Sequence, residues 1–107
     1  MSDYYRLEGK KAMRCGLLDW ARNFDADGRR VAFDDIEGSK VSTVFLGLDH
    51  GWGNGPPLIF ETLVLDGPLA DEMDRYSTWD EAEAGHKAMC ERVRQALRSA
   101  DTGGGGE

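Results

Sequence analysis

Two apolar runs, residues 41–48 (VSTVFLGL) and 58–65 (LIFETLVL), separated by the nine-residue loop DHGWGNGPP, constrain this chain more than any other feature in it. Each run has the length of a strand, and the three glycines and two prolines between them are turn and loop chemistry. The pair therefore reads as antiparallel strands. Facing Leu48 with Leu58 sets Leu46 opposite Phe60 and Val44 opposite Thr62, and opposed residues share a face. That register predicts a core face of Val44, Leu46, Leu48, Leu58, Phe60 and Val64. The other face holds Thr43, Phe45, Gly47, Asp49, Ile59, Glu61 and Leu63. It is too apolar for open water, so it is expected to be partly covered, by the N-terminal segment or by a second copy of the chain. A slip of one residue would exchange the two faces.

The remaining elements follow from local pattern. YYRLE and KKAM predict a small hairpin turning at Glu8-Gly9. Leu17, Leu18, Ala21 and Phe24 recur at three and four residues, on one side of a short helix ending near Phe24. Residues 30–37 read as a strand, with Val31 and Phe33 on one face and Ala32 and Ile36 on the other; Glu37-Gly38-Ser39-Lys40 turns it into the next. Gly67-Pro68 ends the second central strand, and Arg75-Tyr76-Ser77 predicts a short edge strand. Thr78 and Glu81 have the spacing of a capping box. A helix from residue 79 to about residue 98 follows, with Ala82, His86, Met89, Val93 and Leu97 as its apolar stripe. The predicted fold class is α+β: a small antiparallel sheet of three to five strands packed against a long C-terminal helix, with a short N-terminal helix. Residues 1–100 form one domain, and residues 101–107 (DTGGGGE) form a disordered Gly-rich tail.

Composition bounds the function. A chain of 107 residues buries roughly 65% of its unfolded surface as one domain and needs no staple. Cys15 and Cys90 match no metal or redox spacing and read as free thiols in a reducing compartment. The polar N-terminus lacks the apolar core of a signal peptide, and no run approaches the roughly 20 apolar residues that span a bilayer. The expected location is the cytoplasm, with no membrane partner. A net charge of −7 argues against nucleic acid, which needs clustered Lys and Arg. The charge is uneven: Asp66, Asp71, Glu72, Asp74, Asp80, Glu81 and Glu83 stand against the single cation Arg75 within residues 66–83. Asp71, Glu72 and Asp74 are the candidate acidic face for a basic partner, beside the plain reading of a solvated loop.

Chemistry is sparse. The loop at 49–57 is the first candidate for a ligand or partner site: glycines admit close backbone approach, Trp52 offers a stacking surface, and Asp49, His50 and Asn54 bring polar groups to a strand end. Packed loop geometry is the alternative reading. His86 lies on the helix stripe near the expected position of His50, but Glu61 points to the opposite face, which weakens a His-His-Glu zinc site. No serine or cysteine stands in a nucleophile setting, no phosphate-binding fingerprint is present, and no catalytic residue, metal ligand or cofactor is assigned.

The words VSTVFLGLDHGWGNGPPLIFETLVLDGPL and RYSTWDEAEAGHKAM resemble a group of small, mostly uncharacterised proteins encoded by bacteriophages and prophages, including those of actinobacteria. The resemblance covers about residues 31–93. It implies a phage-associated origin and carries no activity over; a phage accessory protein of this composition is expected in the host cytoplasm. Asp49, His50, Glu61, Tyr76 and His86 match the shared words and join Trp52 and Asn54 as candidate site residues. The reading that results is a non-enzymatic phage accessory protein that binds a host or phage protein. A nucleotide-type small-molecule binder using loop 49–57 is the first alternative, and a minor metal-dependent or acid-base enzyme the second. A homodimer is compatible with the apolar second face.

Overall fold

The computed structural model describes residues 3–22, 29–49 and 55–105. Strands β1 (Tyr4–Glu8) and β2 (Lys11–Cys15) form a hairpin, helix α1 (Leu17–Arg22) follows, and β3 (Arg30–Ile36), β4 (Ser39–Phe45), β5 (Phe60–Leu65) and β6 (Met73–Tyr76) form a meander closed by helix α2 (Trp79–Gly105). The larger sheet has the order β3-β4-β5-β6, antiparallel throughout, and α2 packs across one face of it. This is the expected α+β architecture. No helix among the described residues is long and apolar enough to cross a membrane.

The turns explain the meander. Glu37 and Gly38 both adopt positive φ, 51° and 93°, as a two-residue turn matched to strand twist requires. Ile36 pairs with Ser39, so Ser39 and Lys40 belong to β4 and not to the turn. The first hairpin is likewise a two-residue turn, with Glu8 facing Lys11 and Gly9-Lys10 between them, one residue later than the sequence suggests. The capping box forms as expected: Thr78 Oγ1 accepts from the Glu81 N–H and Glu81 Oε1 accepts from the Thr78 N–H, both at 3.1 Å. Helix α2 runs to Gly105, past the expected end near residue 98.

The central register differs from expectation by one residue. Phe45 pairs with Phe60, Thr43 with Thr62 and Val41 with Val64, so the core face of β4 is Val41, Thr43 and Phe45 rather than Val44, Leu46 and Leu48. The cause lies where β4 ends. Leu46 N–H still reaches Ile59 O at 2.7 Å, but Gly47 takes φ 76° and diverts the chain, and Leu48 bridges to Tyr4 instead of facing Leu58. Tyr5 N–H donates to Gly47 O at 2.8 Å, which attaches the first hairpin beyond the end of β4. The observed register also encloses Phe45 against Phe60, rings 5.2 Å apart, with Trp79 edge-on to Phe60 at 6.2 Å. Burying one more large ring there is worth roughly 1.5–3 kcal/mol.

On β3, a bulge between Arg30 and Ala32 inserts Val31 as an extra residue, which packs inward near Phe45 and Phe60 rather than sharing a face with Phe33. Phe33 points outward, whereas Asp34 faces Val41 and therefore α2. In α1, Leu17 and Leu18 are exposed, whereas Trp20 reaches the first hairpin, its ring 5.5 Å from that of Tyr4. Phe24, expected at the helix end, lies outside the described residues.

Two apolar clusters make the core. Val41, Val64, Met89, Cys90 and Val93 form one; Phe45, Ile59, Phe60 and Ala82 form the other. The predicted stripe of α2 supplies both. Gly85 lets the helix sit close to the sheet, because a Cβ there would overlap the Tyr76 ring. Gly85→Ala would gain about 1 kcal/mol of helix propensity against about 1–3 kcal/mol of overpacking. We expect a net loss of up to about 2 kcal/mol, read as a lower urea midpoint at unchanged slope.

Candidate functional site

Between the two apolar clusters lies a polar layer. Thr43 stands between Val41 and Phe45 on β4, Thr62 between Phe60 and Val64 on β5, and His86 one turn after Ala82 on α2. All three side chains are buried, the threonines completely and His86 at 3% exposure. Buried polar groups cost about 1–3 kcal/mol each when unpaired, and here none is. His86 Nε2 lies 2.7 Å from Asp34 Oδ2, His86 Nδ1 lies 2.7 Å from Thr43 Oγ1, Thr43 Oγ1 lies 2.5 Å from Thr62 Oγ1, and the Tyr76 hydroxyl donates to Thr62 Oγ1 at 3.2 Å.

The direction of this chain follows from its acidic end. A carboxylate only accepts, and the His86 hydrogen bond holds the Asp34 carboxyl below its ordinary range. His86 therefore donates from Nε2, and in the neutral imidazole Nδ1 accepts from Thr43. Thr43 accepts from Thr62, and Thr62 from Tyr76. Burial raises the Tyr76 pKa, which keeps the phenol in its donating form. Cys90, one helical turn beyond His86, places Sγ 3.6 Å from the same Asp34 oxygen. Burial, and then the Asp34 charge, push the Cys90 thiol up to about 11, so it is a thiol and a donor at neutral pH.

Asp34, His86 and Thr43 are the residue types of a hydrolytic triad, but Thr43 Oγ1 lies inside the core and no substrate reaches it. Nucleophilic catalysis is not what this chain of hydrogen bonds does. Its ligand-type end is different: one atom each of Asp34, His86 and Cys90 lie within 4.8 Å of one another, and the Asp34 side chain is 52% exposed while His86 is enclosed.

The candidate residues from the sequence separate into distinct places. Tyr76 and His86 are joined through Thr62 and Thr43. Glu61 lies on the outer sheet face, where it accepts from Arg75 Nε at 3.2 Å as a cross-strand ion pair. Asp49 Oδ1 accepts from the Leu58 N–H at 2.9 Å and ties together the two ends of the loop. His50, Trp52 and Asn54 lie outside the described residues. Asp71, Glu72 and Asp74 are exposed at the β6 edge, with Glu72 paired to Arg92 at 2.7 Å. Asp71 holds φ 74° in the loop before β6.

Asp34, Cys90, Thr43 and Thr62 were not singled out by the sequence. The available signal was His86-x-x-x-Cys90, two ligand-type side chains one turn apart on the buried stripe. Asp34, in alternation with Ala32 and Ile36, was the second. A separate cavity of about 500 Å³ opens between the first hairpin and the start of α2, walled by Lys10, Lys11, Phe60 and Trp79. Lys10 Nζ stands 5.9 Å above the Trp79 ring, and the buried Trp79 indole N–H meets no acceptor among the described residues.

No protein-family model, curated protein or solved structure matches this chain.

The polar layer predicts a contrast between two substitutions. Thr43→Val strands His86 Nδ1 and the Thr62 hydroxyl and should cost about 2–4 kcal/mol. Thr43→Ser keeps the hydroxyl and should cost only about 1 kcal/mol for the lost methyl. Urea unfolding of both variants checks the difference.

Proposed function

We propose that this chain is a non-enzymatic accessory protein that binds a protein partner through the outer face of its four-stranded sheet. The observation that carries this reading is the side of the sheet that α2 leaves uncovered. Phe33, Ser42, Leu63 and Met73 form one cross-strand row there, with Leu65 beside it. Phe33, Leu65 and Met73 are 41%, 41% and 44% exposed. Large apolar side chains left this exposed on one sheet face are a usual mark of an interaction surface. Asp71, in the loop before β6, lies at its edge, whereas Asp74 pairs with Thr62 and Glu72 with Arg92 of α2, on the helix side. The matching partner carries an apolar patch with a basic group toward the β6 edge. The two central ionic groups of the face, Glu61 and Arg75, satisfy each other and leave the strip around them to set the contact. Phage origin and a host-cell location rest on the sequence resemblance alone.

The test is affinity capture from lysate of an actinobacterial host with the wild type, Met73→Glu and Asp71→Lys, after circular dichroism has confirmed folding. We expect a defined set of proteins with the wild type that both variants lose. Capture of the same set by the variants would refute the reading. Sedimentation belongs beside it, because a dimer that Met73→Glu dissociates would assign the face to a second copy of the chain.

A second reading, a nucleotide-type binder, is favoured by the cavity rather than by loop 49–57. Lys10 and Lys11 supply the cations and Trp79 the aromatic surface for an anionic aromatic ligand, beside Glu8 and Asp80 in the same wall. Titration with nucleoside mono- and triphosphates should quench tryptophan emission in the wild type and not in Lys10→Ala/Lys11→Ala; absence of quenching at millimolar nucleotide removes this reading.

A further inference from the structure

We propose that Asp34, His86 and Cys90 bind one divalent cation of the zinc type, with Thr43 orienting the histidine from behind. The three donors are a carboxylate oxygen, an imidazole nitrogen and a sulfur, a ligand set suited to Zn²⁺ and its spectroscopic substitute Co²⁺. They come from two packed elements: β3 supplies Asp34, which its pairing with Val41 in the tight β3–β4 hairpin sets on the inner face, and α2 supplies His86 and Cys90 one turn apart.

The spacing fits. Tetrahedral zinc with ordinary bond lengths sets oxygen, nitrogen and sulfur ligands roughly 3.4–3.6 Å apart. Asp34 Oδ2 and Cys90 Sγ already stand at 3.6 Å. Asp34 Oδ2 and His86 Nε2, hydrogen-bonded at 2.7 Å, have to part by roughly 0.7 Å to reach that spacing. The half-exposed Asp34 side chain is free to make that move, whereas His86 and Cys90 are enclosed. In the metal-free arrangement two donors, the His86 N–H and the Cys90 S–H, converge on one carboxylate oxygen. A cation takes the place of those two protons.

The charges and protons balance. The Cys90 proton leaves to solvent as the thiolate forms, and the His86 proton transfers from Nε2 to Nδ1 without change of charge. Asp34 carboxylate and Cys90 thiolate then neutralise the divalent ion. The Arg94 charge, which acts on both Asp34 and Cys90, works against the cation and is offset by that pair of anions. With Nδ1 protonated, Thr43 becomes an acceptor and each hydroxyl in the chain reverses: Thr43 donates to Thr62, Thr62 to Tyr76, and Tyr76 outward. A ligating histidine whose second nitrogen donates to a fixed neighbour is the ordinary outer-shell arrangement of such sites. Three protein ligands leave a fourth position for water on the exposed side, next to Asp34.

The experiment is titration of the chelator-treated full chain with Co²⁺ and then with Zn²⁺. We expect one equivalent of Co²⁺ to produce tetrahedral visible bands and a near-ultraviolet thiolate-to-cobalt band, which Zn²⁺ abolishes. Cys90→Ser should remove the thiolate band, and Cys15→Ser should retain it. Asp34→Asn should weaken zinc at least about tenfold and Thr43→Val about 10–100-fold, Thr43→Ser much less. A band absent from the wild type, or one that survives Cys90→Ser, overturns the proposal. Should Cys90→Ser fail to fold, the folded Asp34→Asn variant decides: wild-type affinity there equally overturns it.

Discussion

The pairing of Phe45 with Phe60 is the constraint on which the rest of this structure depends. Strand side chains alternate between faces, so moving β4 by one residue would turn Val41, Thr43 and Phe45 to the outside together. The aromatic contact with Phe60 and Trp79 would be lost at one end and the contact of Val41 with α2 at the other. The threonine pair would move with them, leaving His86 facing Val44, which offers it no partner. Gly47 permits this register, because its left-handed conformation ends β4 and sends the chain to Tyr4 and Tyr5 instead of continuing opposite Leu58.

The register also explains why a core this small contains a polar layer. Thr43 and Thr62 are partners across the strands, and His86 arrives from the helix above them. Each hydroxyl and ring nitrogen is matched, so the desolvation of the three groups is largely offset by four hydrogen bonds, counting those to Asp34 and Tyr76. Such a layer restricts how the helix can slide on the sheet, since an axial shift of one residue breaks the chain at His86. It also connects the two edges of the sheet: Asp34 on β3 and Tyr76 on β6 are the ends of one hydrogen-bonded path.

The two faces of the sheet then have separate uses. The inner face carries the polar layer and the Asp34–His86–Cys90 cluster. The outer face carries the exposed row of Phe33, Leu63 and Met73, and its Glu61–Arg75 pair is a cross-strand contact rather than a ligand group. The acidic loop before β6 is less uniform than its composition suggests, because folding brings Arg92 to Glu72 and Lys40 to Asp66.

Local pattern alone determined much of this protein. The meander of short strands, the capped C-terminal helix and its stripe from Ala82 to Leu97 are written in residues close together in the chain, where turn chemistry and helical period act without help from distant contacts. Opposite placement of Glu61 and His86 was legible for the same reason. The choice between two registers was not, because both bury apolar residues from β4 and the pattern VSTVFLGL reads nearly as well on either face. Only the ring contacts of Phe45 and the diversion at Gly47 decide between them, and those involve residues 15 and more positions away in the sequence. The meeting of Asp34 with His86 and Cys90 is tertiary in the same sense. The pairing of β3 with β4 and the seating of α2 bring together groups 52 and 56 residues apart, a convergence that no local period encodes.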